Sequence, residues 1–239
     1  MLLEICAPSL TSALTAQTGG AQRIELCAAL EIGGITPSPA TLRLAREQLH
    51  IEICVLVRPR GGDFCYNEAE FETIKQDVIY CKALGMDGVV VGVLKPDGTF
   101  DLGRMKILAE LARPMQVVAH RAFDETPNPY EAMEQLIALG YDRILTSGQA
   151  KNVVEGIPTL KKLIQKAAGR ITIMPGNGVS LENIGSLINE TGATEIHTSA
   201  KKNITSPMQN KSNTSFNIGS IRENDYQETD EETVKRFLS

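Results

Sequence analysis

Short apolar segments rich in β-branched residues alternate along this chain with longer segments of helical periodicity. The short ones are LLEIC (Leu2–Cys6), RIELC (Arg23–Cys27), IEICVLV (Ile51–Val57) and GVVVG (Gly88–Gly92) in the first half. QVVAH (Gln116–His120), RILTS (Arg143–Ser147), ITIMP (Ile171–Pro175) and TEIHT (Thr194–Thr198) follow in the second. Segments with helix punctuation lie between them. Ser9 opens one that Gly19-Gly20 closes, Ser38 precedes a helix with proline at its first position, and Asn67 caps a long run. In that run Phe71, Ile74, Val78 and Cys81 recur at helical spacing before Gly85 ends it. DLGRMKILAELARP, NPYEAMEQLIALG and SLENIGSLINETG repeat the form.

A strand followed by a helix, repeated, implies parallel strands joined by crossovers. Eight such units within residues 1–200 predict a closed (β/α)8 TIM barrel rather than an open doubly wound sheet. No G-x-G-x-x-G turn follows the first strand, which counts against a dinucleotide-binding fold. From Lys201 the pattern changes. KKNITSPMQNKSNTSFNIGS is rich in Asn, Ser and Thr and has no period, so residues 201–239 read as an irregular extension packed on the barrel. DEETVKRFLS at its end predicts a last helix whose acidic first turn suits the helix dipole.

Composition narrows the function classes. A chain of 239 residues, 42% hydrophobic, with a net charge of −5, has apolar mass for a large core and no basic face for a phosphate backbone. No window resembles a membrane span, and MLLEICAPSL lacks the basic start of a signal peptide. The expected compartment is therefore the reducing cytoplasm, with the 5 cysteines as thiols. In that compartment the N-x-S/T triplets at Asn203, Asn210 and Asn213 carry no glycan.

Strand alternation then places the chemistry. If Leu3 and Ile5 face the helices, Glu4 and Cys6 face the barrel interior; if Ile24 and Leu26 face out, Glu25 and Cys27 face in. Two neighbouring strands thus offer the same Glu-x-Cys pair to one mouth. Glu52 and Cys54 share the inward parity with Leu56 and Arg58 but lie deeper. His120 ends the fifth strand, and His197 follows Glu195 in the eighth. The loops add Arg60, Asp63, Arg121, Asp124 and the turn Pro175-Gly176-Asn177-Gly178. Inward charges are costly unless paired, so a ring of Glu, Arg and His at one end reads as a self-compensating polar site. Arg121 and Asp124 read equally well as an ion pair that fixes their loop.

The segments LLEICAPSLTSALTAQTGGAQRIELCAALEIGGITPS, VRPRGGDF, HRAFD, RILTSG, MPGNGV and EIHTSA, in this order, strongly resemble the CutC copper-homeostasis family from about Leu2 to Ala200. SPMQNKSN adds a weaker echo. The resemblance implies a cytosolic barrel associated with copper, described for some members as binding Cu(I). It carries the copper-ligand role onto Cys6 and Cys27 and onto no other cysteine. Val118-Ala119 stand where the family commonly has Thr-Phe, and Asn177 stands in a turn that is usually triple glycine, which implies a slightly altered pocket.

Two chemistries follow. In the first, Cys6 and Cys27 bind Cu(I), a soft ion that prefers thiolates and accepts two of them. Thiols at equal height on adjacent strands, about 4.7–4.9 Å apart, would reach one ion. In the alternative, the barrel is an enzyme acting on a small anionic substrate, phosphorylated or carboxylated. Glu4, Glu25, His120, His197 and Asp124 would then supply acid–base groups beside Arg58. Arg60 and the Gly176–Gly178 turn would hold the anion, since barrels often bind phosphate after strand seven. No sequence feature fixes a homo-oligomer, though the acidic surface and tail are compatible with one.

Overall fold

The structure is a computed structural model and describes residues 1–208 and 226–239. Eight parallel strands form one sheet in the order β7-β6-β5-β4-β3-β2-β1-β8, which curls until its two end strands stand side by side. The strands are β1 (Leu2–Ala7), β2 (Arg23–Leu26), β3 (Glu52–Leu56), β4 (Gly88–Val91), β5 (Gln116–Ala119), β6 (Arg143–Thr146), β7 (Thr172–Pro175) and β8 (Glu195–Thr198). Every predicted strand is present.

Seven helices alternate with them: α1 (Leu10–Thr18), α2 (Pro39–Gln48), α3 (Glu68–Ala83), α4 (Leu102–Ala112), α5 (Pro129–Ala138), α6 (Val153–Ala167) and α7 (Ile184–Thr191). Their starts follow from capping chemistry. Ser9 and Ser38 accept backbone N–H bonds from Ser12 and Thr41, and Asn67 forms a reciprocal capping box with Glu70. α6 is the helix that the periodicity leaves unannounced, because Pro158 interrupts its pattern. Asn152 caps it, and Pro158 lies inside it, in the second turn. α6 also approaches the barrel closely: a Cβ at Gly156 would lie 1.8 Å from the Ser147 carbonyl oxygen. α7 starts later than Ser180 suggests, at Ile184, after a turn in which the Asn183 side chain accepts from the Ser180 N–H.

Alternation sorts the core into two compartments. Leu3, Ile5, Ile24, Leu26, Ile53 and Val55 face the helices in one large cluster. Cys6, Cys27, Cys54, Leu56, Val90 and Val118 form a smaller one inside the barrel.

The extension is more regular than its composition suggests. Lys201–Ile204 (β9) pairs antiparallel with Tyr226–Thr229 (β10), and Glu231–Leu238 (α8) follows. The Thr229 N–H donates to Ser12 Oγ, the Asp230 N–H donates to the Ala200 carbonyl, and Val234 packs on Gly19. Asn203 sits in β9, whereas Asn210, Asn213 and most of the irregular stretch lie outside the described residues.

Candidate metal centre at the barrel mouth

The interior is polar from its floor upward. Arg23 is fully buried and donates to both Glu4 and Glu195, while Arg143 donates to Glu195 at 2.7 Å and to Gln116. Sequence reasoning passed over these two arginines. Their signal was available, since Arg23 shares the inward parity of Glu25 and Cys27. They, rather than Arg58 or Arg60, compensate the buried carboxylates.

From this floor a chain of contacts climbs to the mouth. The other Glu4 oxygen lies 2.8 Å from His197 Nδ1, and His197 Nε2 lies 3.9 Å from Glu25 Oε2. The Cys6 thiol donates to the same Glu25 oxygen at 3.4 Å, and its sulfur lies 3.7 Å from the Cys27 sulfur. One donor atom each from Cys6, Glu25 and His197 fit within 4.8 Å of one another, all buried.

Register corrects one expectation. Cys6 stands opposite Glu25, and Cys27 lies higher, where its N–H donates to the Ala7 carbonyl. The two cysteines are therefore staggered rather than level, and the sulfurs meet because both side chains turn inward. Cys54 is opposite Glu25 on its other side and belongs to the same interior cluster.

Charge states follow from these partners. Burial works to raise the Glu4 carboxyl, but the His197 hydrogen bond and the Arg23 guanidinium overcome it and hold it at about 2. Burial opposes a charged His197, yet its hydrogen bonds with Cys6 and Glu4 and the nearby Glu25 carry its pKa well above the ordinary value. Burial raises the Glu25 carboxyl, with His197 pulling the other way. The Cys6 thiol is pushed well up by its hydrogen bond with Cys27, by burial and by Glu25.

Above this lies a cavity of about 810 Å³, lined by Cys6, Glu25, Leu56, Arg58, His120 and His197 from the strand ends. Arg121, Asn177–Lys201 residues of the last two strand loops, and Thr233 and Phe237 of α8 complete its wall. Five of the expected site residues are not part of this lining, Cys27 among them, whose sulfur lies behind Cys6. Glu4 lies beneath, consumed by Arg23 and His197. Asp124 pairs with Arg121 at 2.8 Å and accepts from Thr146, Ser147 and Gln149, so it fixes the loop after β6. Arg60 is held by Glu70 and Asp63, away from the cavity. Gly176 is not in the lining, and its N–H donates to the Thr146 carbonyl at 3.0 Å. Gly178 does line the cavity.

The sequence matches the CutC family over residues 1–202. The chain belongs to the CutC family. A CutC family protein of Parabacteroides distasonis is 46% identical over 240 residues, 99% of each chain. The human copper homeostasis protein cutC homolog is 43% identical over 87% of this chain and 76% of its own. The crystal structure of CutC from Streptococcus agalactiae superposes with a TM-score of 0.80 at 34% identity, covering 83% of this chain and 98% of that one. Among the described residues of this CutC chain, no helix is long and apolar enough to cross a membrane.

Proposed function

We propose that this CutC protein serves copper homeostasis by binding Cu(I) through the thiolates of Cys6 and Cys27, in a reducing cytoplasm. The observation that carries the reading is the 3.7 Å separation of two buried, free sulfurs at the barrel mouth. Bonds of about 2.3 Å, the usual metal–thiolate length, bring both sulfurs to one ion at that separation. The donor chemistry is soft, as Cu(I) prefers, and Leu56, Val90 and Val118 pack around the sulfurs.

Binding must displace thiol protons, and the Cys6 thiol resists that step because Cys27, burial and Glu25 all favour the neutral form. Affinity therefore falls as pH drops. His197, charged and in reach of Cys6, eases thiolate formation from the other side. The test is anaerobic Cu(I) titration against a competing chelator. About one tight equivalent per chain is expected, lost in Cys6→Ser and in Cys27→Ser. Undiminished binding in both variants rejects the assignment.

A further inference from the structure

The cavity is far larger than a metal ion needs, and about 300–1,000 Å³ is the range of small-molecule sites. Its back wall holds a donor that the protein leaves unused. His120 Nδ1 accepts the Ala122 N–H at 3.1 Å, so that nitrogen carries no proton. Burial, and then the charge of Arg58, push the His120 pKa down to about 3, which keeps the ring neutral with its proton on Nε2. That N–H has no acceptor among the described residues, although His120 is 5% exposed. A buried donor without a partner costs about 1–3 kcal/mol unless a ligand or water satisfies it.

Arg58 supplies the second observation. It is 5% exposed, and its terminal nitrogens donate to the carbonyls of Ile32, Gly34 and Gly62. These bonds hold the guanidinium in place without neutralising it, and no carboxylate among the described residues forms an ion pair with it. Phe64 links the two groups, with its ring 4.8 Å from that of His120 and 4.9 Å from the Arg58 guanidinium carbon. A positive charge without a counter-ion and a neutral N–H without an acceptor thus share one apolar-walled corner.

We propose that this corner binds the carboxylate of a small organic acid, with His120 Nε2–H donating to one oxygen, the Arg58 charge as counter-ion, and the apolar body lying along Phe64 and Leu56. A single neutral donor beside one cation suits a monoanion; a phosphate, with more charge and three terminal oxygens, would leave most of its acceptors unmet. The site shares the cavity with Cys6 but does not depend on copper binding there.

Nitrogen-15 NMR of the imidazoles in the full chain, titrated with acetate, hexanoate and benzoate, tests this. Inorganic phosphate and benzamide serve as the phosphate and uncharged arms. Hexanoate or benzoate is expected to shift His120 Nε2 saturably, while benzamide does not. Affinity should fall at least tenfold in His120→Phe and Arg58→Gln, and should be partly restored in His120→Gln, whose amide replaces the lost donor. Circular dichroism confirms folding, and Cu(I) stoichiometry should be unaltered in His120→Phe, which separates this site from the thiol pair. No saturable shift with any carboxylate overturns the proposal. So does a shift with phosphate alone, or affinity unchanged in both His120→Phe and Arg58→Gln.

Discussion

At the floor of the barrel Arg23 serves Glu4 and Glu195 together, so its removal would leave the buried Glu4 to His197 alone and the half-buried Glu195 to Arg143. Breaking a buried pair from one side costs about 3–5 kcal/mol. Arg23→Met should lose roughly that amount in urea unfolding at pH 7. His120 gives a pH signature. Its folded pKa of about 3 lies below the ordinary 6.5, so between those values the unfolded chain binds a proton that the folded chain refuses. Stability then falls as pH drops through that window, by up to about 1.4 kcal/mol per pH unit, and is unaffected by this group above it. Urea midpoints at pH 7 and pH 4.5 should therefore lie closer together in His120→Phe than in the parent chain.

Among the elements, α8 depends on a glycine that its own sequence does not contain. Gly19 has an ordinary φ of −71, so alanine there would be conformationally acceptable. A Cβ would nevertheless meet the Val234 side chain at 2.7 Å and the Glu231 carbonyl at 3.2 Å. Gly19→Ala should destabilise by about 1–3 kcal/mol through overpacking. Val234→Ala in the same chain should recover part of it, a coupling that a double-mutant cycle in urea detects. α8 also walls the cavity through Thr233 and Phe237, so loosening it should change access to the mouth. Element boundaries were legible where a side chain caps the backbone, as at Ser9, Ser38, Asn67, Asp101 and Asn128. They were obscure where tertiary contact decides. α6 runs through Pro158 and lies close against Ser147 at Gly156, and β9 is paired only by β10, which returns from far along the chain.

For the whole molecule, strand parity carried the reading furthest. Which side chains face inward depends only on alternation, so the interior placement of Glu4, Cys6, Glu25, Cys27 and His197 could be read from the sequence. Relative height could not, because it depends on the stagger between strands, and that is why Cys6 meets Glu25 across the ladder. Loop side chains were least legible. Arg60 and Asp124 have the chemistry of a site, but their local partners Glu70 and Thr146 claim them first.

The end strands β7 and β8 stand next to each other without a hydrogen-bonded ladder, so the cylinder is a split ring. At the upper end of this seam His197 and Leu145 crowd Gly176, where a Cβ would lie 3.3 Å and 2.5 Å from them. Amide protons along Thr172–Met174 and Glu195–Thr198 that face the gap should trade with deuterated water sooner than those of β2 or β3, and mass spectrometry of labelled peptides would show it. A hoop with one unsewn side can widen there without tearing a strand pair.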